Sequence, residues 1–200
     1  LCILVFLEPT PAAAEDSPSG VLTFNIVDLE GNPLPARLTF VDTEGENRDL
    51  FPNPDADPTK LALRDYAVYT LDGHGSITVP VGNWDVMASH GIEWSIDTIH
   101  IDVVEGGDYS WTATLEHEID TSDWISGDFH LHTLTHSGHG DSNMNERIIS
   151  IVGEGVEFAV ATDHNHNTDY QPTINHLEAN EHLTAVVGNE VSMRYGHLNA

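Results

Sequence analysis

Gly127-Asp128-Phe129-His130-Leu131-His132-Thr133 is the stretch on which the fold turns. Trp124 to Phe129 reads as a strand, and the chain leaves it on two histidines spaced two apart. In an extended segment residues i and i+2 point the same way, so both imidazoles can meet one cation. Downstream the rhythm repeats. Ser142 or Asn143 can cap a helix running through Arg147, Ile148, Ile149 and Val152, with Gly153 and Gly155 ending it. Val156 to Thr162 is a short apolar run suited to a buried parallel strand, and Asp163-His164 stands at its end. A weaker helix is expected over Gln171 to Asn180, then an apolar strand from Leu183 to Val187 with Glu190 just past it. Strand, helix, strand, helix, strand predicts an α/β barrel or open sheet. In such sheets, sites form at the carboxyl ends of the strands. Three consecutive strand ends therefore deliver His130 and His132, Asp163 and His164, and Glu190 to one rim, with His197 following in Gly196-His197-Leu198-Asn199. A lone His-x-His is weak, because alternating strand histidines arise by chance, and a histidine after a strand often only closes a loop. Their order at successive strand ends favours a metal site over structural histidines.

Upstream the pattern is different. From Val21 to about Leu115 the chain reads as short strands with no helical period between them: Val21 to Val27, Ala36 to Val41, Tyr66 to Thr70, Ser76 to Val79, Trp84 to Ala88, Ser95 to Val104 and Tyr109 to Leu115. Glycine and aspartate fill the spacers, which predicts an antiparallel sandwich. Asn47 to Pro58, with three prolines, reads as a long solvated loop without a calcium-loop pattern. Trp84, Trp94 and Trp111 are expected in its core more than on a ligand-binding face.

The chain of 200 residues carries 33 Asp plus Glu against 6 Lys plus Arg, a formal charge of -27, with Lys60 its single lysine. Such a surface repels phosphate backbones and disfavours nucleic acid as a partner. It also fits a secreted protein from a salty medium, where screening shortens self-repulsion, although many secreted proteins are simply acidic. Leu1 to Leu7 is almost wholly apolar and precedes Ala12-Ala13-Ala14, so residues 1–14 are expected to be the remnant of a secretory signal peptide, followed by a linker over 15–20. The run is too short to span a bilayer. Its Cys2 is the only cysteine, so thiolate metal sites and disulfides are excluded from the mature chain. Secretion, or a periplasmic or envelope location, is the expectation.

The motifs Gly127 to Thr133, Ala161-Thr162-Asp163-His164-Asn165, Gly188-Asn189-Glu190-Val191 and Gly196 to Asn199 resemble those of the PHP (polymerase and histidinol phosphatase) superfamily, most closely its CehA/McbA-like metallohydrolase branch. Val27-Asp28-Leu29-Glu30-Gly31-Asn32-Pro33-Leu34-Pro35-Ala36-Arg37-Leu38-Thr39-Phe40 resembles carboxypeptidase-regulatory-like sandwich domains. The resemblance implies an N-terminal all-β sandwich over 21–116, followed over 117–200 by the first strands and helices of an α/β, distorted (β/α)7 barrel. It implies two or three divalent cations, zinc, manganese or iron. His130 and His132 would hold the first, Glu190 would bridge it to a second also bound by His197, and His164 would serve a third, with Asp163 ligating or orienting its neighbours. Asp128 would support the ligands from behind. The family's Ser-Asp pair is interrupted here, because Gly138-His139-Gly140 separates Ser137 from Asp141. Either Asp141 or His139 then serves the third metal, and His136 faces solvent. Later family motifs, including an Asp-x-His, fall beyond Ala200, so the resemblance implies a sequence that stops short of the full domain and a piece that by itself turns nothing over. The want of an initiating Met and a basic n-region leads to the expectation that it also starts late.

The activity so implied is hydrolysis by a metal-activated water of a small-molecule phosphoester, or of a carboxyl or carbamate ester. No Gly-x-Ser-x-Gly elbow offers a serine route. The rival reading is a secreted binding module for glycan or envelope material, with a degenerate or incomplete metal site. Substrate, metal identity and oligomeric state are not legible in the sequence.

Overall fold

The computed structural model describes residues 18–46, 48–53 and 55–200. The expected signal remnant and residues 15–17 of the expected linker lie outside them. The first half builds two facing sheets. One has four strands in the order β3 (Phe51–Pro52), β6 (His74–Pro80), β1 (Ser19–Val27) and β9 (Asp108–Thr114). The other has five, in the order β4 (Leu61–Arg64), β5 (Ala67–Thr70), β2 (Ala36–Asp42), β7 (Gly82–Ser89) and β8 (Asp97–Val103). Alternation drives this arrangement. Leu22, Phe24 and Ile26 of β1 are fully buried, and Leu38, Phe40, Trp84, Val86 and Ala88 meet them from the second sheet. The Leu, Ile, Val and Phe side chains among them contribute about 1.5–3 kcal/mol each on burial. Trp84 and Trp111 are core residues, as expected, and the Trp84 indole N–H donates to the Pro80 carbonyl at 2.9 Å.

One ladder departs from the expected antiparallel order. β1 and β9 pair in parallel, with Val21 opposite Asp108 and Val27 opposite Thr114. The chain reverses after β8 but changes sheets at the Val104 to Gly107 corner, where Val21 N–H donates to Gly107 O at 2.8 Å. A strand that reverses and crosses over lands beside β1 running the same way. The loop expected over 47–58 also holds the short edge strand β3, whose Pro52 sits where proline is tolerated in sheets.

The second half begins with β10 (Gly127–Leu131) and the single turn α1 (Leu134–Ser137). It continues through α2 (Met144–Gly153), β11 (Phe158–Ala161), α3 (Gln171–His176) and β12 (Thr184–Val187). Asn143 caps α2: its side chain accepts from Glu146 N–H while Glu146 reaches back to Asn143 N–H. β10, β11 and β12 form a parallel sheet in sequence order.

The expectation of the opening part of a (β/α)7 barrel is not met. Barrel closure needs parallel strands added until the sheet meets its own first strand. Among the described residues the parallel sheet stops at three strands of four or five residues. Beyond it, β13 (Glu190–Met193) and β14 (Gly196–Asn199) pair antiparallel with each other as a separate ribbon. Val186 and Val187 of β12 remain exposed. These residues therefore build an open sheet with three short helices, in a chain with far more strand than helix among its described residues.

The two halves share a boundary. Ile148, Ile149, Ile151 and Val152 of α2 are buried in a cluster that also takes Ala62 and Leu71 from the sandwich. The helix packs on β4, β5 and β2. Gly153 permits the approach, since a Cβ there would lie 2.8 Å from Ala36 O. Arg37 pairs with Glu154 at 2.9 Å, and Arg64 with Glu146. No helix among the described residues is long and apolar enough to cross a membrane.

Candidate metal centre

Glu190 is the hub. Its side chain is 6% exposed, and four imidazoles converge on it. His130 Nε2 lies 3.1 Å, His132 Nε2 3.0 Å and His164 Nδ1 3.4 Å from Oε2, while His197 Nδ1 lies 2.8 Å from Oε1. Four segments supply these groups. β10 and the residue after it bring His130 and His132, the ladder with β11 becoming irregular between Asp128 and Leu131 where the histidines leave it. The loop after β11 brings His164, β13 opens on Glu190, and β14 carries His197. Backbone bonds lace the loop to the ribbon: Asn165 N–H donates to Glu190 O at 3.0 Å and Glu190 N–H to Asp163 O at 3.2 Å.

Three overlapping groups place their donor atoms within 4.8 Å of one another and can hold a metal ion: His130, His132 and Glu190; His164, Glu190 and His197; and His132, His139 and His164. The donors suit a divalent cation. They are imidazole nitrogens and a carboxylate without sulfur, the set taken by borderline metals such as zinc, iron or manganese. Burial disfavours the His132 imidazolium; Glu190 pulls the other way, while His164, His130 and His139 add to the burial effect, and the net result is a lowered pKa. A neutral imidazole is the form that binds metal. For Glu190 burial raises the pKa, but hydrogen bonds with His130 and His197 and the charges of His164 and His130 outweigh it and keep the group ionised.

Asp163 does something else. It is fully buried, and its Oδ1 accepts from Thr133 N–H at 2.6 Å and from the Ser137 hydroxyl at 2.6 Å, with the Thr133 hydroxyl 3.0 Å from both oxygens. Burial opposes its ionisation, and the bonds from Ser137, Thr133 and Thr168 more than offset it, so its pKa is lowered. Its carboxylate thus faces hydroxyls and ties the His132 loop to the His164 loop. Ser137 Oγ also stands 3.2 Å from His132 Nδ1 and accepts from His164 N–H at 3.1 Å.

Of the two alternatives in the inserted loop, the structure brings His139 to the cluster, its ring 5.3 Å from that of His132 and 4.7 Å from that of His164. Asp141 points elsewhere, accepting from the Ser142 hydroxyl at 2.9 Å and pairing with Arg147 at 3.3 Å. Asp128 stays behind the ligands, with Oδ1 accepting from His130 N–H at 3.0 Å. His136 is exposed and stacks on His166 at 4.0 Å. Sequence reasoning missed Thr133 and Ser192, the latter 3.0 Å from His164 Nδ1. Thr133 carried a usable signal, a hydroxyl residue in front of a helical turn that it caps. Asn165, in the left-handed region at φ 53°, accepts from Ser192 N–H at 3.0 Å. Asparagine tolerates that conformation better than most residues.

Fold and site together define a β-sandwich joined to a small α/β unit whose His/Glu cluster can hold a metal ion. No family model and no curated protein matches the chain. Among solved structures it is similar to the Bacillus anthracis TIE protein, at 16% identity and a TM-score of 0.36, over 63% of this chain and 21% of that one. It is also similar to phospholipase PlaB from Legionella pneumophila, at 11% identity and a TM-score of 0.34, over 54% and 27% of the two chains. A third is 3-chlorocatechol 1,2-dioxygenase from Rhodococcus opacus, at 12% and 0.29, over 50% and 61%. The chain spans less than two thirds of each. Likenesses this slight carry no argument about the site.

Proposed function

We propose that the protein is a secreted metal-dependent hydrolase of the PHP type, CehA/McbA-like, acting on a phosphoester or a carboxyl or carbamate ester. The observation that carries this reading is the position of Glu190, with three imidazoles at one carboxylate oxygen and a fourth at the other. That is how a carboxylate shared between two cation positions is surrounded. His130 and His132 would hold one position, and His164 and His197 the other, while His139 would offer a nitrogen for a third beside His132 and His164. Bound divalent cations would lower the pKa of water to near neutrality and polarise the ester oxygen. The chain's own residues supply the rest. Glu190 balances charge and fixes the spacing, and Asp163 holds the His132 and His164 loops through Thr133 and Ser137.

The test is turnover by the whole protein of p-nitrophenyl phosphate, bis-p-nitrophenyl phosphate and p-nitrophenyl acetate in zinc, manganese or iron(II), before and after chelation. Chelator should abolish turnover. His130→Ala should lower kcat/KM by about 100-fold or more, the upper end of what even outer partners of metal ligands are worth. A His130→Ala protein that kept its metal and its rate would sink the proposal.

A further inference from the structure

A second concave site lies at the opposite ends of the parallel strands. Glu157, which precedes β11, and Ser126, which precedes β10, border a cleft of about 420 Å³ between the sandwich and the α/β unit and its neighbouring hollow of about 330 Å³. Strands of four or five residues separate it from the Glu190 cluster, roughly 13 Å at about 3.3 Å per residue. Four carboxylates line the cleft, Glu93, Asp120, Glu157 and Glu181, and no lysine or arginine does. Two tryptophans, Trp94 and Trp124, complete it, and Trp124 is 80% exposed.

The walls are held in place before any ligand arrives. Ser95 N–H donates to Glu116 O at 2.8 Å and Glu118 N–H to Glu93 O at 2.9 Å, tying the two rim segments together. Glu93 Oε2 accepts from the Thr121 hydroxyl at 2.7 Å, and Glu157 Oε2 accepts from Ser126 N–H at 2.9 Å. The Trp94 ring is fixed between His90 and His117, with centroids at 5.5 and 5.0 Å. Bonds from the hydroxyl and N–H of Ser122 keep the Asp120 pKa low, and burial keeps those of His90 and His182 low, while His117 Nε2 stands 3.3 Å from Glu93 Oε2.

We propose that this cleft binds an organic ammonium group, seated against the exposed indole of Trp124, with Trp94 at its wall, and balanced by Glu93 and Glu157. An anion is repelled by four carboxylates. A metal ion lacks its ligands, because among the described residues convergent donor triads occur only around the Glu190 centre. A neutral sugar could stack on an indole but would leave the carboxylates uncompensated. An ammonium group satisfies both features at once, since indole faces attract cations. The chain's charge of -27 raises the local concentration of cations further.

Calorimetric titration of the 200-residue chain in chelator and about 0.15 M NaCl tests this, the salt suppressing unspecific attraction. The probes are choline, its neutral carbon isostere 3,3-dimethylbutan-1-ol, glucosamine and N-acetylglucosamine. Choline, glucosamine or both should bind saturably, and which one does identifies a headgroup or an amino sugar as the source. The neutral partner should bind about tenfold more weakly, and Trp124→Ala, at an exposed position, should weaken binding about fivefold or more. Glu181→Gln, also exposed, should weaken it by a smaller factor that shrinks with salt. Equal binding of charged and neutral probes overturns the proposal. So does unaltered binding in the Trp124→Ala, Glu181→Gln double variant, or no binding of either ammonium probe.

Discussion

Asp163→Asn removes one charge and changes little else in shape, so its effect can be worked from the hydrogen bonds. The wild-type carboxylate receives the Thr133 N–H, the Thr133 hydroxyl and the Ser137 hydroxyl at 2.6 to 3.0 Å in a fully buried site. Bonds to a charged acceptor contribute about 1.5–3 kcal/mol each against about 0.5–1.5 for neutral ones, so three lose about 3 kcal/mol together. The new amide also turns an NH2 toward donors, at about 1–3 kcal/mol for an unsatisfied buried group. Relief from burying a charge returns part of this. The net expectation is a loss of about 2–4 kcal/mol, or a Tm lower by about 5–15 °C for a domain of this size. Urea and thermal unfolding in chelator, followed by circular dichroism, isolate the effect from metal binding. The pH dependence supplies a sign. The folded Asp163 pKa is lowered, so its stabilisation is present above the unfolded value, about 3.9, and is lost as pH falls through the folded one. The gap between wild type and variant should therefore stand at pH 7 and close in acid. A loss below about 1 kcal/mol, or a gap that does not close on acidification, would refute the reasoning.

Three further outcomes follow from the same geometry. His139→Ala should weaken metal binding by about tenfold or more, whereas Asp141→Ala, which loses an exposed pair with Arg147 and a bond from the neighbouring Ser142 hydroxyl, should leave it unchanged and alter stability by less than about 1 kcal/mol; competition with a chromogenic chelator reads metal binding in both. Gly153→Ala should destabilise by about 1–3 kcal/mol in urea, because its Cβ would meet Ala36 O at 2.8 Å and push α2 off the sandwich. Metal at a hundredfold over its Kd should stabilise the wild type by about 2.7 kcal/mol, a rise in Tm that Glu190→Ala should erase.

Much of this was legible because the relevant signals are local. Asn143 caps α2 as the pattern predicts, the helix ends at Gly153 with the left-handed Gly155 just past its C-cap Glu154, and the apolar runs before Asp163 and Glu190 are indeed β11 and β12. The approach of His130, His132 and His164 follows from strand ends, which sequence order suggests, whereas Glu190 and His197 arrive on the β13–β14 ribbon. What failed was non-local. Nothing in the period of β1 or β9 states that they pair in parallel, since alternation fixes a strand's face and not its partner. The barrel expectation rested on resemblance, and it passed over the ribbon in which Glu190 to Met193 folds back on Gly196 to Asn199. For a related reason the sequence left Asp163 open between ligating and orienting its neighbours. A carboxylate beside a histidine reads as a ligand until the hydroxyls of Thr133 and Ser137, 30 and 26 positions away, are seen to face it.

The central claim is that Glu190 organises a metal centre. Elemental analysis of the purified, desalted chain and of Glu190→Ala tests it directly, with folding of both checked by circular dichroism. At least one equivalent of zinc, manganese or iron in the wild type, falling to background in a folded Glu190→Ala, is the predicted result. A folded wild type that retains no divalent metal after loading, or a variant that retains as much, would contradict it.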